Sequence, residues 1–154
     1  MIDHVTTFAP ITEYVPHRAP VLMIDQIVEV AVQRSVCRAT LGTDCVFALE
    51  GRVHASALIE IAAQAVAVSV GVIARRDGKP VRRGFVIGSR ECTFEVDSLA
   101  VGDVLELRCT REVGETLLGV FTCDVYRDEV RCATIHLSVA DATVGTLVTA
   151  EPAP

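Results

Sequence analysis

Apolar and polar positions along this chain change their period more than once, and each change marks an element. From Val53 to about Arg75 the sequence VHASALIEIAAQAVAVSVGVIAR is apolar on nearly every side. An amphipathic surface helix carries one apolar stripe, whereas a helix apolar all round is enclosed. The stretch therefore predicts a long buried helix. Its polar residues keep to one track, because Ser56, Glu60 and Gln64 are spaced four apart. A buried track that holds a carboxylate is costly unless the carboxylate is paired or put to use. The helix should end near Arg75, since Asp77-Gly78-Lys79-Pro80 places Gly and Pro just beyond it. Arg75 and Arg76 in the last turn suit the helix dipole.

Elsewhere the period is two, which predicts strands. Residues before Ile11 should pack loosely. Pro16 and Pro20 bracket His17 and Arg18, and each proline keeps the residue before it out of a helix, so this is a stiffened, extended loop. It feeds a predicted strand from Val21 to Val32 and another from Arg34 to Leu41. Gly42-Thr43-Asp44 turns the chain, and Cys45 to Arg52 is irregular. After the helix, strands are predicted at Phe85 to Val96, bent at Gly88, then Val104 to Val113, Leu117 to Tyr126 and Val130 to Val139. Turns at Val101-Gly102-Asp103, Gly114-Glu115 and Asp128-Glu129 separate them. Leu105, Leu107 and Cys109 should share a face. The outline is strand, strand, long helix, then strands in meander: an α+β domain over 1–150 with a frayed tail at 151–154. A single sheet curled around the helix explains it, with a second subunit covering what the sheet leaves open.

Composition narrows the function. The chain has 154 residues, 51% hydrophobic, with no Trp and 5% aromatics, so its core is aliphatic. A net charge of −6 argues against nucleic acid as the partner. The first basic residue is Arg18, and nothing before it forms the apolar segment of a secretory signal, which predicts a cytoplasmic protein. The six cysteines include no C-x-x-C pair and are expected as small buried hydrophobes rather than a zinc site. The helical run is long enough for a membrane span, but Glu60 at its centre would cost roughly 3 kcal/mol there, and its surroundings are strand-like. No membrane partner is expected. On the residues alone, Glu60 is either a structural carboxylate facing an Arg or a working group, and His17 either a surface loop residue or a base. His4 and His136 read as structural or exposed, and Asp25 as structural. Arg75, Arg76, Lys79, Arg82, Arg83 and Arg90 gather positive charge in an acidic chain. They form either a solvated helix end or a docking patch.

Three segments resemble the hotdog-fold 3-hydroxyacyl acyl-carrier-protein dehydratases of the FabA/FabZ type. YVPHRAPVLMID (14–25) is similar to a Leu-Pro-His-Arg-x-Pro stretch that ends in Asp. ALIEIAAQ (57–64) is similar to the helix motif in which Gln follows Glu by four, and FEVDSLAVGD (94–103) to a strand with its Pro-Gly-Asp turn. The first of these together with GFVIGSR (84–90) looks most like the aryl-polyene-cluster branch. The likeness covers roughly 11–110.

That resemblance implies a dimer with its site at the interface. His17 would be the base, and Glu60, on the neighbouring subunit's helix, the acid. The backbone N–H of Ala55 would bind the thioester carbonyl, Gln64 would support the acid, and no metal or organic cofactor would be needed. The reaction would be dehydration of (3R)-3-hydroxyacyl thioesters to trans-2-enoyl thioesters. The basic cluster, Arg75, Arg76, Lys79, Arg82 and Arg83, would dock an acidic acyl carrier protein bearing phosphopantetheine. Neutral imidazole is a competent base near pH 7. Burial of Glu60 among Ile and Ala should keep it protonated for a poor leaving group, and helix-start N–H groups could hold the developing oxyanion. His54-Ala55 replaces the usual Pro-Gly, which makes His54 either a helix-entry residue or a substrate contact. The implied partner is a second copy, or a related chain in a heterodimer. The alternatives are a hotdog acyl thioesterase that activates water with Glu60 alone, and a non-catalytic hotdog partner subunit.

Overall fold

The computed structural model describes residues 5–114 and 118–142. His4, the tail at 151–154 and the ends of the predicted turn and strand at Glu115 and Leu117 lie outside the described residues. The elements in chain order are a single 3-10 turn (Ile11–Glu13), β1 (Gln26–Val30), β2 (Arg34–Thr40), β3 (Ala48–Leu49), β4 (Arg52–His54), α1 (Ala57–Arg76), β5 (Gly84–Phe94), β6 (Ser98–Ala100), β7 (Val104–Val113), β8 (Leu118–Arg127) and β9 (Val130–Asp141).

The large sheet has six antiparallel strands in the order β1-β2-β7-β8-β9-β5. It curls over α1 with the hotdog architecture that the sequence predicts. Along β7, Leu105, Leu107 and Cys109 face the helix and are at most 2% exposed. From the helix side Leu58, Ile61, Ala62, Ala65 and Val68 enter the same core. By length and composition α1 could cross a membrane, but here most of it is wrapped by the sheet. Its end follows the predicted chemistry. Gly78 takes φ +66°, and the N–H groups of Gly78 and Lys79 close on the carbonyls of Arg75 and Ala74 at 3.1 and 2.8 Å, which is a Schellman cap.

The structure departs from the expected outline in several places. Val53–Ser56 is not helical: β4 pairs with β3 and β6 in a small three-stranded sheet, and α1 starts only at Ala57. The post-helix strands are not one continuous meander. β7, β8 and β9 are, but β5 crosses to the far side of β9, and β6 leaves for the small sheet. β5 bends as predicted, with register shifts at Val86/Gly88 and again at Ser89/Cys92. It is an edge strand exposed along nearly its whole length. The first strand begins at Gln26, not Val21, because residues before it are held by a side chain of α1.

Candidate active site

That side chain is Gln64, 1% exposed. Its Oε1 accepts the Met23 N–H at 2.7 Å, and its Nε2 donates to the Val21 carbonyl at 2.9 Å. A side-chain amide thus takes the place of a neighbouring strand for a buried stretch of backbone, which would otherwise carry unpaired polar groups. Upstream, Arg18 folds back, and its Nη1 donates to the carbonyls of Val15 and His17 at 2.9 and 2.8 Å. Tyr14 packs directly on Gly71 of α1, its hydroxyl accepting the Ala9 N–H at 2.8 Å. Arg75 pairs with Glu13 and lies 5.8 Å above the Tyr14 ring. Together these contacts hold the proline-bracketed loop along α1, from Arg75 and Gly71 back to Gln64.

The consequence is that His17 Nε2 sits 3.9 Å from Glu60 Oε1. Gln64 Nε2 donates to the same oxygen at 2.9 Å. The imidazole–carboxylate separation exceeds hydrogen-bonding distance, which leaves room for a reacting atom or a water between them. The Nδ1 of His17 is buried and has no partner among the described residues. The family resemblance divides these two groups between subunits, whereas here a single chain brings them together, because the loop folds back onto its own helix. The expected enclosure of Glu60 is also not provided by this chain, since its side chain is 42% exposed. The same side of α1 is only half-buried at Ile59, Ala63, Ala67 and Val70.

The pair opens into a groove of about 200 Å³. Ala63, Ala67 and Val70 of α1 line one wall, and Phe85, Val86, Gly119, Phe121 and Val139 from the sheet line the other. Arg82, Arg83, Arg111 and Asp141 add charge around it. An apolar groove with a few convergent polar groups is the usual form of a small-molecule site.

Two expected contacts fall elsewhere. Ala55 is 3% exposed and its N–H donates to the Asp97 carbonyl at 3.0 Å, so it is not available to a thioester oxygen. The neighbouring N–H groups are also engaged: Ser56 donates to His54 Nδ1 at 3.2 Å, Leu58 to the Ala55 carbonyl at 3.0 Å and Ile59 to the Ser56 carbonyl at 3.1 Å. At this entry β4 ends at His54, and Ala55 and Ser56 turn the chain into α1. His54 is exposed, turned onto Ser56 Oγ at 2.8 Å, and does not line the groove. Gln64 has its polar atoms occupied by Val21, Met23 and Glu60, which makes it a support for the Glu60 carboxylate rather than a substrate contact.

The basic cluster divides. Arg76 pairs with Asp77 at 2.8 Å, and Arg75 with Glu13. Arg82 reaches Asp141 at 3.5 Å, and both Arg82 and Arg83 line the groove. Lys79 lies exposed past the helix, and Arg90 exposed on β5. Asp25 accepts the Thr40 N–H at 2.7 Å, and His136 meets Thr122 Oγ1 at 3.0 Å on β8, which makes both structural. All six cysteines are free, five of them buried and Cys92 partly so. Burial pushes the Cys37 thiol far up, and a sulfur contact with Cys109 followed by burial does the same for Cys123. No His/Cys/Asp/Glu cluster able to hold a metal occurs among the described residues. Gly119, Phe121 and Asp141 line the groove without any sequence signal, since only the stacking of β8 on β9 brings them together.

Comparison with known proteins identifies the family and the fold. The profile of the ApeP dehydratase family matches residues 9–149. No curated protein matches the chain. Among solved structures, the dehydratase heterocomplex ApeI:P from Xenorhabdus doucetiae superposes with a TM-score of 0.86 at 22% identity, covering 93% of this chain and 99% of that one. A sigma28-regulated virulence protein from Campylobacter jejuni gives 0.66 at 18% identity, with 86% and 87% covered. A hypothetical thioesterase with coenzyme A from Streptococcus pneumoniae gives 0.59 at 13% identity, with 76% and 84% covered.

Proposed function

Because the chain belongs to the ApeP-like dehydratase family, we propose that it removes water from (3R)-3-hydroxyacyl thioesters, carried by an acyl carrier protein, to give trans-2-enoyl thioesters in aryl-polyene-type biosynthesis. The observation that carries this reading is the His17–Glu60 pair, 3.9 Å apart at a groove that is mostly apolar. His17 Nε2 takes the proton alpha to the thioester. The carbon–oxygen bond at the beta carbon breaks as Glu60 donates a proton to the departing hydroxide, and water leaves. The turnover ends with a protonated imidazole and a carboxylate. Their separation lets one bridging water return the proton and reset both groups.

An uncovered strand edge fits the same reading. The outer edge of β5 has no pairing strand among the described residues, and Phe85, Val86 and Ile87 on it are 50%, 42% and 60% exposed. A second hotdog chain laid along this edge, a copy or a related subunit, would close the groove and dry the site, with Arg82, Arg83 and Lys79 left for the acidic carrier.

A second reading, a non-catalytic half of a mixed dimer, is favoured by the Ala55 N–H, which is held by Asp97 and offers no oxyanion donor. One experiment separates the two. Turnover of a carrier-borne 3-hydroxyacyl thioester is measured for wild type, His17→Ala and Glu60→Gln. Loss of about 10²–10⁴-fold in each folded variant supports the acid–base pair. Full hydrolysis of the thioester by His17→Ala points instead to a thioesterase, and an inert wild type on carrier and coenzyme A substrates points to the partner role.

A further inference from the structure

One aromatic ring, Phe121, lines both the groove and a second, smaller cavity. Phe121 is 4% exposed, and a Cβ at Gly119 would lie 2.7 Å from its Cε2, so the glycine leaves the space that the ring edge fills. The Arg111 guanidinium stacks over the ring at 4.9 Å from its centroid, and its Nη1 donates to the Gly114 carbonyl at 3.3 Å. Behind the ring lies a second cavity of about 10 Å³, between Ser69 and Ile73 of α1 and Cys109 of β7. Arg111 and Phe121 are the residues that line both spaces. On the helix, the groove is lined from Glu60 to Val70, and the cavity that shares the stack is lined by Ser69 and Ile73, so the stack lies toward the end of α1 remote from Glu60.

We propose that the Phe121–Arg111 stack is the end wall of the acyl channel and sets the chain length that the site accepts. The inference rests on the reading of His17 and Glu60 as the thioester end of the groove. A straight acyl tail running from that pair along Ala63 and Ala67 meets the ring face. Shortening the ring side chain joins the groove to the small cavity and lengthens the channel.

The test pairs binding with turnover. Saturated acyl-pantetheines of graded length are titrated onto wild type, Phe121→Leu and Arg111→Met, and 3-hydroxyacyl thioesters of the same lengths are assayed. Arg111→Met loosens the wall while leaving the ring, and so covers the case in which Phe121→Leu does not fold. The expected result is a preference shifted to longer chains, the long-to-short ratio of kcat/KM rising about tenfold, the low end of what a methylene is worth in an apolar pocket. A folded variant that keeps the wild-type length profile, or loses all lengths equally, overturns the wall while leaving the dehydratase reading intact. A wild type that binds and turns over no acyl thioester of any length overturns the reading beneath it.

Discussion

A methyl group at Gly71 would strike the carbonyl oxygen of Tyr14. Glycine in a helix interior ordinarily weakens it by about 0.5–1 kcal/mol relative to alanine, so its use in α1 has a local reason: it admits the backbone of the segment that carries His17. Gly71→Ala should therefore fail to stabilise the protein as a helix substitution normally would. It should push the Tyr14–His17 loop off the helix and lower kcat more than it raises KM, because the base moves while the apolar groove remains. Urea unfolding together with steady-state kinetics checks this, and a stabilised, fully active variant would refute it. Gln64 illustrates what a residue pattern conveys. Its position four after Glu60 put it on the same helix track, and the family resemblance implied that it supports that residue. Its bonds to Val21 and Met23, which anchor the opposite segment, depend on contacts across 43 and 41 positions that no local pattern reports.

Elements were legible where one local rule decides them. The helix, its Gly78 stop and the alternation of β7 follow from period and turn chemistry, and the structure reproduces them. The Val101-Gly102-Asp103 turn does too, and it carries a titratable group. Partial burial pushes the Asp103 carboxyl up, but the Ala100 N–H and the Arg127 guanidinium, each 2.9 Å from Oδ2, outweigh it and hold the group below its ordinary value. A depressed carboxylate stabilises the fold fully above its unfolded value, about 3.9, and that contribution fades as pH falls through the lower folded value. Asp103→Asn should cost about 1–2 kcal/mol at neutral pH, with the gap to wild type narrowing below about pH 4. Urea unfolding across that range measures it, and a gap constant with pH would contradict the assignment. Failures at this scale share a cause. Val53 and His54 were expected to open the helix, yet they pair in β4, because β6 supplies a neighbour from residues 98–100 that the sequence does not announce.

At the scale of the whole molecule, β5 is the unfinished part. It is an eleven-residue edge with large apolar side chains on the surface, and natural edges of that length are normally covered, charged or bulged. Two bulges are present, but Phe85 and Ile87 stay exposed. Sedimentation should find the chain associated, with itself or with a related hotdog subunit. Phe85→Asp combined with Ile87→Glu should dissociate it and reduce turnover, because the groove beside Phe85 and Val86 loses its cover. A wild-type monomer that turns over as fast as any mixture would count against the partner.

By itself the sequence determined the enclosed helix and the strands that follow the turn signals, because each rests on local periodicity, while only the resemblance of residues 14–25 and 57–64 to a known family singled out His17 and Glu60. Tertiary structure alone decided that His17 lies 3.9 Å from Glu60 of the same chain, that Glu60 stays 42% exposed, that the Ala55 N–H is taken by Asp97 and that Phe121 lines the groove. Those outcomes depend on which strand lies beside which and on where the 14–23 loop folds back. Such choices are made by packing between residues far apart in the chain, where the same local pattern is compatible with more than one neighbour.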